Sequence, residues 1–364
     1  LYSENATDSF AFKNKPLYYS VTQEAGSFSI ENVSDQPYRL IVVDDKDFNF
    51  KVSSNQELLG FEGEILDPVI DTVYHARMFN GERDLEFNLA RQVGFGKAEI
   101  YYSNDVPEDF AVSFEKKREF FLDFDKGRDT IVVWFEELEG DTTLFYNTYD
   151  GRLDTVFLRK ADFDKKEFTL KEKQPTVTPS SILTLKSDMP IEELNSAFCT
   201  FVKNEDTIPT PKLTLSESSY EIEIEGDIAF GDQYQLHVLP DFATSFFGDQ
   251  ADTSSYKFST KKERDYAFHI INLEQFSGQQ SIIQLLDKKN NVVFEKVVLG
   301  SEKFDVPFLD PDSYVLRLII DRNKNNKWDT GDYLNQVQPE KVIYYPDPIE
   351  LRANWEIETI WKIK

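Results

Sequence analysis

Hydrophobic and polar residues alternate with a period of two along most of the chain. Such alternation is typical of strands that bury one face, and the runs are short and end at Asp, Asn, Gly, Pro or Ser, which favour turns. Helical periodicity is rare, and residues 191–198 predict either one short helical turn or an irregular loop. The pattern predicts an all-β fold built of sandwiches. The clearest runs are 28–30, 38–43, 97–102, 130–135, 182–185, 220–224, 234–239, 281–286, 292–298, 314–320 and 349–357.

An internal repeat relates the beginning of the chain to its end. Each matched pair is separated by 276 residues (304 minus 28), with no gap. The first copy contains Phe28, Ile30, Val33, Tyr38, Leu40, Val43 and Asp45, and the second contains Phe304, Val306, Leu309, Tyr314, Leu316, Ile319 and Asp321. In the same way, Asp47 and Asn49 of the first copy match Asn323 and Asn325 of the second. Both copies therefore predict a strand, a tight loop, a second strand and an Asx-rich loop.

Two segments suggest boundaries between domains. Residues 174–180 contain two prolines and predict an extended linker, and the charged segment 261–264 predicts a second boundary, or seam, between domains. The prediction is four units, 1–72, 73–173, 174–262 and 263–364.

Charge narrows the range of partners. The chain has 66 acidic and 40 basic residues, a net charge of −26 and a pI of 4.5. Such a surface repels phosphate backbones and anionic headgroups, which argues against nucleic-acid binding. No apolar run reaches the ~18 residues of a membrane span. No signal peptide is visible, and the chain starts within a strand-like pattern, so an upstream segment is expected.

The C-terminal part resembles a known family. Its motifs are YVLRLIID (314–321), NNKWDTGDYL (325–334), QPEKVIYYP (338–346) and LRANWE (351–356). They are similar to the C-terminal module of the Bacteroidota Ig-like-domain lipoproteins. Residues 1–72, with PLYY at 16–19 and Gly26 before the run at Phe28, resemble the transthyretin-like module of that family. Unit 174–262, with FFGD at 246–249, is similar to an SbsA-type Ig-like domain.

The resemblance implies tandem Ig-like and transthyretin-like β-sandwich modules, with the opening strand of the first module missing. It also implies a lipid-anchored, surface-exposed outer-membrane lipoprotein without catalytic residues. Members of that family carry an acylated N-terminal cysteine, which is expected to lie upstream of Leu1. The expected partners are an outer-membrane β-barrel complex or other surface lipoproteins.

The loop after residue 320 is the strongest candidate for chemistry. Oxygen-bearing side chains at loop positions 1, 3, 5, 9 and 12 have the spacing of a Ca²⁺ loop. These are Asp321, Asn323, Asn325, Asp329 and Asp332. Asn326 replaces the usual glycine, and Asp332 replaces the usual glutamate. A structural Ca²⁺ site and a plain Asx-rich turn are both open interpretations.

The first copy of this loop, at Asp45, Asp47 and Asn49, predicts a turn. Its later positions offer Ser53 and Glu57, which are poor substitutes for the acidic oxygens of the second copy.

Other reactive side chains predict ordinary packing. The histidines His75, His237 and His269 are too dispersed for a zinc site. Cys199 lies in an apolar run and is expected to be a small core residue. Neither a nucleophile elbow nor a phosphate loop appears.

Aromatic residues bear on a binding function. Trp134 is expected in a core, whereas Trp355 and Trp361 lie in the terminal strand region with acidic neighbours. Residues 241–248, with Phe242, Phe246 and Phe247, predict either a partly exposed apolar tip or a strand corner.

Three hypotheses for function follow, in order of preference. The first is a non-catalytic scaffold or accessory subunit of an outer-membrane complex that assembles or exports surface proteins. The alternative is a glycan-binding surface lipoprotein, which requires an exposed aromatic platform. A hydrolase with a cryptic site ranks last, because it requires converging ionisable groups in a deep pocket.

Overall fold

The predicted all-β fold is confirmed, and the strands form paired sheets arranged as β-sandwich modules in tandem. The computed structural model describes all residues except 7–8, 53–56, 62, 64, 71–72, 75, 81–84, 117, 125–127, 137–141, 150, 180, 277 and 364, and the side chains of 25 and 142–145. Helical structure in the described residues is limited to short segments. These are α1 (Phe10–Lys13) and 3₁₀ turns at Glu24–Gly26, Ser196–Phe198 and Glu263–Asp265.

The first module is the least regular part of the fold. Two short strands pair into one ribbon, and three more form a small sheet in the order β3-β4-β5. The strands are β1 (Tyr2–Ser3), β2 (Tyr38–Arg39), β3 (Ile41–Val43), β4 (Leu58–Phe61) and β5 (Phe79–Asn80). β5 pairs with β4 although it lies beyond residue 72, and the predicted boundary there stays a prediction.

The second module is a two-sheet sandwich around a core that includes Ile100, Ile131, Phe135 and Leu158. Its sheets have the strand orders β6-β7-β10-β9 and β12-β11-β8. The strands are β6 (Phe87–Gly94), β7 (Lys97–Tyr102), β8 (Ala111–Phe114), β9 (Phe120–Phe124), β10 (Thr130–Phe135), β11 (Thr142–Tyr149) and β12 (Arg152–Arg159).

The third module has sheets β13-β15-β20-β19 and β14-β23-β21-β17-β18, with a separate β16-β22 ribbon. Residues 191–198 form β16 followed by a 3₁₀ turn at Ser196–Phe198, so the short helical turn expected in this stretch occupies only its second half and a strand precedes it. The strands are β13 (Leu170–Glu172), β14 (Thr176–Val177), β15 (Leu183–Ser187), β16 (Ile191–Leu194), β17 (Cys199–Lys203), β18 (Asp206–Ile208), β19 (Lys212–Leu215), β20 (Glu221–Glu225), β21 (Gln233–Val238), β22 (Ala243–Ser245) and β23 (Ser254–Thr260).

The fourth module stacks the sheet β27-β24-β31 on the sheet β26-β25-β28-β29, with β30 also pairing β28. Its core contains Ile283, Leu285, Leu316 and Leu318, which are all fully buried. The strands are β24 (Ala267–Glu274), β25 (Gln280–Leu286), β26 (Val292–Leu299), β27 (Lys303–Leu309), β28 (Ser313–Ile320), β29 (Val342–Tyr344), β30 (Ile349–Glu350) and β31 (Glu356–Lys362).

One predicted strand does not form. Residues 28–30 have the apolar alternation of β27, yet no strand is assigned to them. In the fourth module β27 is paired by β24, and no described strand of the first module takes that place. Because strand backbone needs a hydrogen-bonding neighbour, the apolar pattern alone does not make a strand here.

Candidate functional site

The loop between β28 and β29, residues 321–341, holds the predicted Ca²⁺ ligands, and its first ligand is a buried carboxylate. Asp321 is 2% exposed. Its Oδ1 accepts the N–H of Lys324 at 2.7 Å and of Asn325 at 3.2 Å, and its Oδ2 accepts Gln280 Nε2 at 2.8 Å and the N–H of Asn326 at 2.9 Å. Burial alone would raise the pKa of Asp321, but these hydrogen bonds lower it below its usual value. The carboxylate is therefore held in its charged form at the base of the loop.

Three further predicted ligands gather above Asp321. The side-chain amides of Asn323 and Asn325 both donate to Oδ2 of Asp329, at 2.7 Å and 2.9 Å. Asp332 does not join them, because its carboxylate accepts the backbone N–H of Asn335 at 3.0 Å. The structure brings together four of the five predicted residues and places the fifth in the next turn.

Sequence analysis missed Glu340, which is 3% exposed and reaches into the loop from the approach to β29. Its Oε1 accepts the N–H of Arg322 at 2.6 Å, and its Oε2 accepts the N–H of Asp329 at 3.2 Å. Glu340 lies too far along the chain to fit a twelve-residue loop pattern. The ungapped repeat does not point to it, because its counterpart in the first loop, Glu57, aligns with Tyr333 at the offset of 276.

The loop between β3 and β4 has the same internal geometry. Asp45 accepts the N–H groups of Asn49 at 3.1 Å and Phe50 at 2.9 Å. Glu57 Oε1 accepts the N–H of Lys46 at 3.2 Å, as Glu340 does for Arg322. Left-handed φ values recur at matched positions, namely Phe48 (+56°) and Lys324 (+64°), Phe50 (+63°) and Asn326 (+63°). The two loops share one architecture as well as one sequence pattern.

Glu57 is a better partner than its sequence position suggested. It is 3% exposed, and carboxylate oxygens of Asp45, Asp47 and Glu57 all lie within 4.8 Å of one another. Ser53, the other residue considered there, lies outside the described residues.

The donor sets of both loops fit a hard cation, because Ca²⁺ prefers carboxylate and amide oxygens. In the second loop, rotation of the Asn323 and Asn325 amides would turn their Oδ1 atoms toward the position of the cation. The Ca²⁺ site stays a prediction, and so does the plain turn.

The later part of the loop between β28 and β29 also forms a contact between the fourth and first modules. Tyr333 is 6% exposed and lies in the core of the first module, with ring centroids 5.2 Å from Phe61 and 5.9 Å from Phe12. Gln338 Nε2 donates to the carbonyl of Phe61 at 2.8 Å. The first module is therefore completed by a side chain from the far end of the sequence.

The second and third modules meet at an aromatic junction. Trp134 of β10 is 5% exposed, as expected for a core residue, but it joins the core of the third module. Its indole N–H donates to the hydroxyl of Tyr220, and its ring lies 5.9 Å from that of Phe247. Phe247 also contacts Phe95 at 5.6 Å. Of the two alternatives for residues 241–248, the structure favours the corner, because Phe242 is fully buried and the partly buried Phe246 and Phe247 pack against the core of the third module.

A second aromatic junction joins the third and fourth modules. Phe308 lies 5.1 Å from Phe230 and 6.0 Å from Tyr266, measured between ring centroids. Tyr266 donates its hydroxyl to the carbonyl of Val177 at 3.1 Å, and Lys261 pairs with Asp310 at 2.5 Å. The predicted seam at 261–264 thus lies beside a packed contact.

The remaining candidates are dispersed. His237 lies on β21, and its Nδ1 is 2.7 Å from the Oγ of Ser255 on β23. His269 is fully buried in β24, and its Nε2 is 2.9 Å from Thr359 Oγ1. Burial lowers the pKa of His269 to about 4. His75 lies outside the described residues. Cys199 is half-buried at the start of β17 rather than enclosed in a core, and burial raises the pKa of its thiol.

The terminal tryptophans separate into two environments. Trp361 is 5% exposed and packs 5.7 Å from Tyr345, whereas Trp355 is 48% exposed under the guanidinium of Arg352. Trp328 is 45% exposed and donates to the carbonyl of Glu340 at 3.1 Å.

Comparison with known proteins leaves the family open. No family model and no curated protein matches the chain. The similar solved structures include domains MG0-NIE-MG1 of native alpha-2-macroglobulin from Escherichia coli, at 9% identity over 49% of this chain and 90% of that one, with a TM-score of 0.25. The S-layer protein rSbsC(31-844) covers 75% of this chain and 41% of its own length, at 10% identity and a TM-score of 0.26. The I9-I11 tandem from titin covers 76% of this chain and 100% of its own, at 8% identity and a TM-score of 0.16. Scores this low support no inference about function.

The described residues contain no helix that is both long and apolar enough to cross a membrane.

Proposed function

We propose that this protein is a non-catalytic scaffold displayed at the outer-membrane surface, where it serves as an accessory subunit of a β-barrel complex or of other surface lipoproteins. The observation that supports it most is the packing between modules. Trp134, Phe308 and Tyr333 each insert into a contact between two modules, so the sandwiches are held in a fixed arrangement rather than strung on loose linkers. A fixed array presents several surfaces at set distances, which suits multi-point docking.

The charge of the chain favours a protein partner. With a net charge of −26, the surface repels nucleic acids and anionic headgroups and attracts basic protein surfaces. Electrostatic attraction of this kind speeds association and weakens with added salt.

Buried ionisable groups support a non-catalytic role. Burial raises the pKa of Tyr102 and Tyr220 and lowers that of His269. All three side chains lie in module cores or junctions: Tyr102 is hydrogen-bonded to Asn147 at 2.8 Å, Tyr220 to Trp134, and His269 to Thr359. Their shifts reflect packing of the sandwich interior, whereas a catalytic pair would face a shared cavity.

The resemblance of residues 314–356 to the Bacteroidota Ig-like-domain lipoproteins supports the location. A lipid anchor would hold such a protein at the outer membrane, with the sandwiches projecting from it.

Affinity capture tests the proposal. The chain, tagged at its C-terminal end, is incubated with detergent-solubilised outer membranes, and partners are identified by mass spectrometry after cross-linking. We expect enrichment of a β-barrel complex, reduced by high salt and by Trp134→Ala, which loosens the junction between two modules. Trp355→Ala, at an exposed ring, serves as the matched control and should leave capture unchanged.

Two results would contradict the proposal. One is capture of no membrane protein under these conditions. The other is polysaccharide binding on a glycan array that is lost in Trp355→Ala, which would support the glycan-binding alternative.

A further inference from the structure

An open groove runs along β3 in the first module. It has a volume of about 330 Å³ and is lined by β3, by residues 18–21 and by Phe28 and Ile30. The sheet order β3-β4-β5 leaves β3 at an edge among the described strands. Val42 of this strand is partly exposed, whereas Leu318, at the matching position of the repeat, is fully buried.

The backbone of β3 offers hydrogen-bonding groups to the groove. The N–H of Asp44 donates to the carbonyl of Leu58 at 2.9 Å, which sets the phase of the β3–β4 ladder. In an antiparallel pair, alternate residues bond to opposite neighbours. Ile41 and Val43 therefore direct their N–H and C=O groups away from β4 and toward the groove.

The fourth module shows what occupies the equivalent position. There β28 is paired by β25 on this side, with Ile282 opposite Ile319 and Gln284 opposite Arg317. Ile319 and Arg317 match Val43 and Ile41 in the repeat. The side chains of β25 fill the space between the sheets, and Ile283 is fully buried there.

The hydrogen bonds and pairing around Leu1 identify where a counterpart of β25 would run in the first module. Leu1 donates to the carbonyl of Tyr18 at 2.7 Å and accepts the N–H of Leu17 at 2.8 Å, and Tyr2 is paired with Arg39. In the fourth module, Leu285 is opposite Phe294 and Leu286 is opposite Val315. Phe294 and Val315 match Tyr18 and Arg39 in the repeat, so Leu1 and Tyr2 take the places of Leu285 and Leu286.

We infer that the groove is the seat of an extended strand of this protein that runs into the nitrogen of Leu1, in the register of residues 280–284 of β25. This strand would pair with Ile41 and Val43 on one side and with residues 18–21 on the other. The residue in the place of Ile283 would be apolar, and it would pack on Phe28, Ile30 and Val42. The same strand would convert residues 18–21 into the counterpart of β26, which forms in the fourth module because β25 pairs with it.

A fusion tests the inference without any membrane partner, so its outcome is separate from that of the proposed function. The prefix Gln-Ser-Ile-Ile-Gln, copied from residues 280–284, is joined directly before Leu1 of the full chain. The matched control prefix is Gln-Ser-Asp-Asp-Gln, which has the same length but places charges in the interior. Amide hydrogen exchange is followed residue by residue at Ile41, Val43 and, as internal references, Arg317 and Ile319.

We expect the apolar prefix to slow exchange at Ile41 and Val43 about tenfold per amide, the effect of one net backbone hydrogen bond. The control prefix should leave both rates unchanged, and Val42→Lys should abolish the protection by the apolar prefix. Equal rates with both prefixes would overturn the inference. So would a free peptide of the same sequence at about 1 mM that protects both amides as well as the fused strand, because the groove would then belong to a partner chain.

Discussion

The first and fourth modules share a sequence pattern but differ in how complete their sheets are. In the fourth, β28 has neighbours on both sides, and Ile283, Leu316 and Leu318 are fully buried. In the first, β3 has a neighbour on one side among the described strands, and residues 28–30 have none. Alternation of apolar residues indicates which face a segment would bury. Whether the segment becomes a strand depends on a hydrogen-bonding partner elsewhere in the chain.

The first module also packs against the fourth. Tyr333 enters its core between Phe61 and Phe12, and Gly331 approaches Phe79 so closely that a Cβ there would lie 2.6 Å from the ring. The stability of the first module therefore depends on a loop of the fourth, while the fourth has a core of its own.

The largest expected effect comes from Tyr333→Ala. Removing a buried ring from the first module should cost about 3–4 kcal/mol, the usual range for a buried aromatic side chain. Urea unfolding followed by hydrogen exchange should show the loss in β3 and β4, with β25 and β28 unaffected. Tyr344→Ala, at a ring 53% exposed on β29, is the control and should change stability by less than about 0.5 kcal/mol. Equal losses in both modules would contradict the asymmetry.

Acid should act on the fourth module through His269. Its folded pKa of about 4 lies below the ordinary 6.5, because burial disfavours the charged ring. The stability that His269 contributes is present above pH 6.5 and is lost as the pH falls toward 4, by about 3 kcal/mol in total. Urea titrations at a series of pH values measure this loss. His269→Gln, which keeps a polar partner for Thr359, should show a shallower decline, and an identical decline would contradict the assignment.

Gly331→Ala should weaken the contact between the two modules by about 1–3 kcal/mol, the typical cost of overpacking. The added methyl group meets the ring of Phe79, which is 3% exposed and has little freedom to move. Gly63→Ala in the first module is the matched control, because its Cβ would meet no atom within 4 Å. Exchange rates at Leu59 and Phe61 provide the measurement.

Calcium should give the smallest effect. If both Asx-rich loops bind the cation, as their donor sets suggest, Ca²⁺ at ten times its Kd would stabilise each loop by about 1.4 kcal/mol. Melting curves with EGTA and with added Ca²⁺ measure the shift. Asp329→Asn should reduce it, and Asp347→Asn, at an exposed turn, should not. An unchanged midpoint would leave the plain turn as the interpretation of both loops.

Sequence patterns predicted the regular strands well and the contacts between modules poorly. The runs at 97–102 and 130–135 became β7 and β10 with the same bounds, because each alternates cleanly and finds a neighbour nearby. Trp134 was expected to be buried, but no local signal showed that it belongs to the core of the next module. Phe247 was ambiguous for the same reason, since its burial depends on Trp134 and Phe95.

The candidate site was predicted in part. Asp321, Asn323, Asn325 and Asp329 lie close in sequence, so spacing alone brought them together. Glu340 was missed and Glu57 was judged a poor ligand, because each lies just before the strand that follows its loop, outside the spacing of a Ca²⁺ loop. Asp332 was misplaced because its side chain bonds to Asn335 within a turn that spacing rules do not describe.

Native-state hydrogen exchange compares the two modules most directly. The amides of Ile41 and Val43 and those of Arg317 and Ile319 occupy matching positions of the repeat, so one experiment on residues 1–364, without any added prefix, measures both. We expect Arg317 and Ile319 to exchange only through global unfolding of the fourth module, and Ile41 and Val43 to exchange through local opening at a far lower free energy. Equal protection of the two pairs would contradict the account.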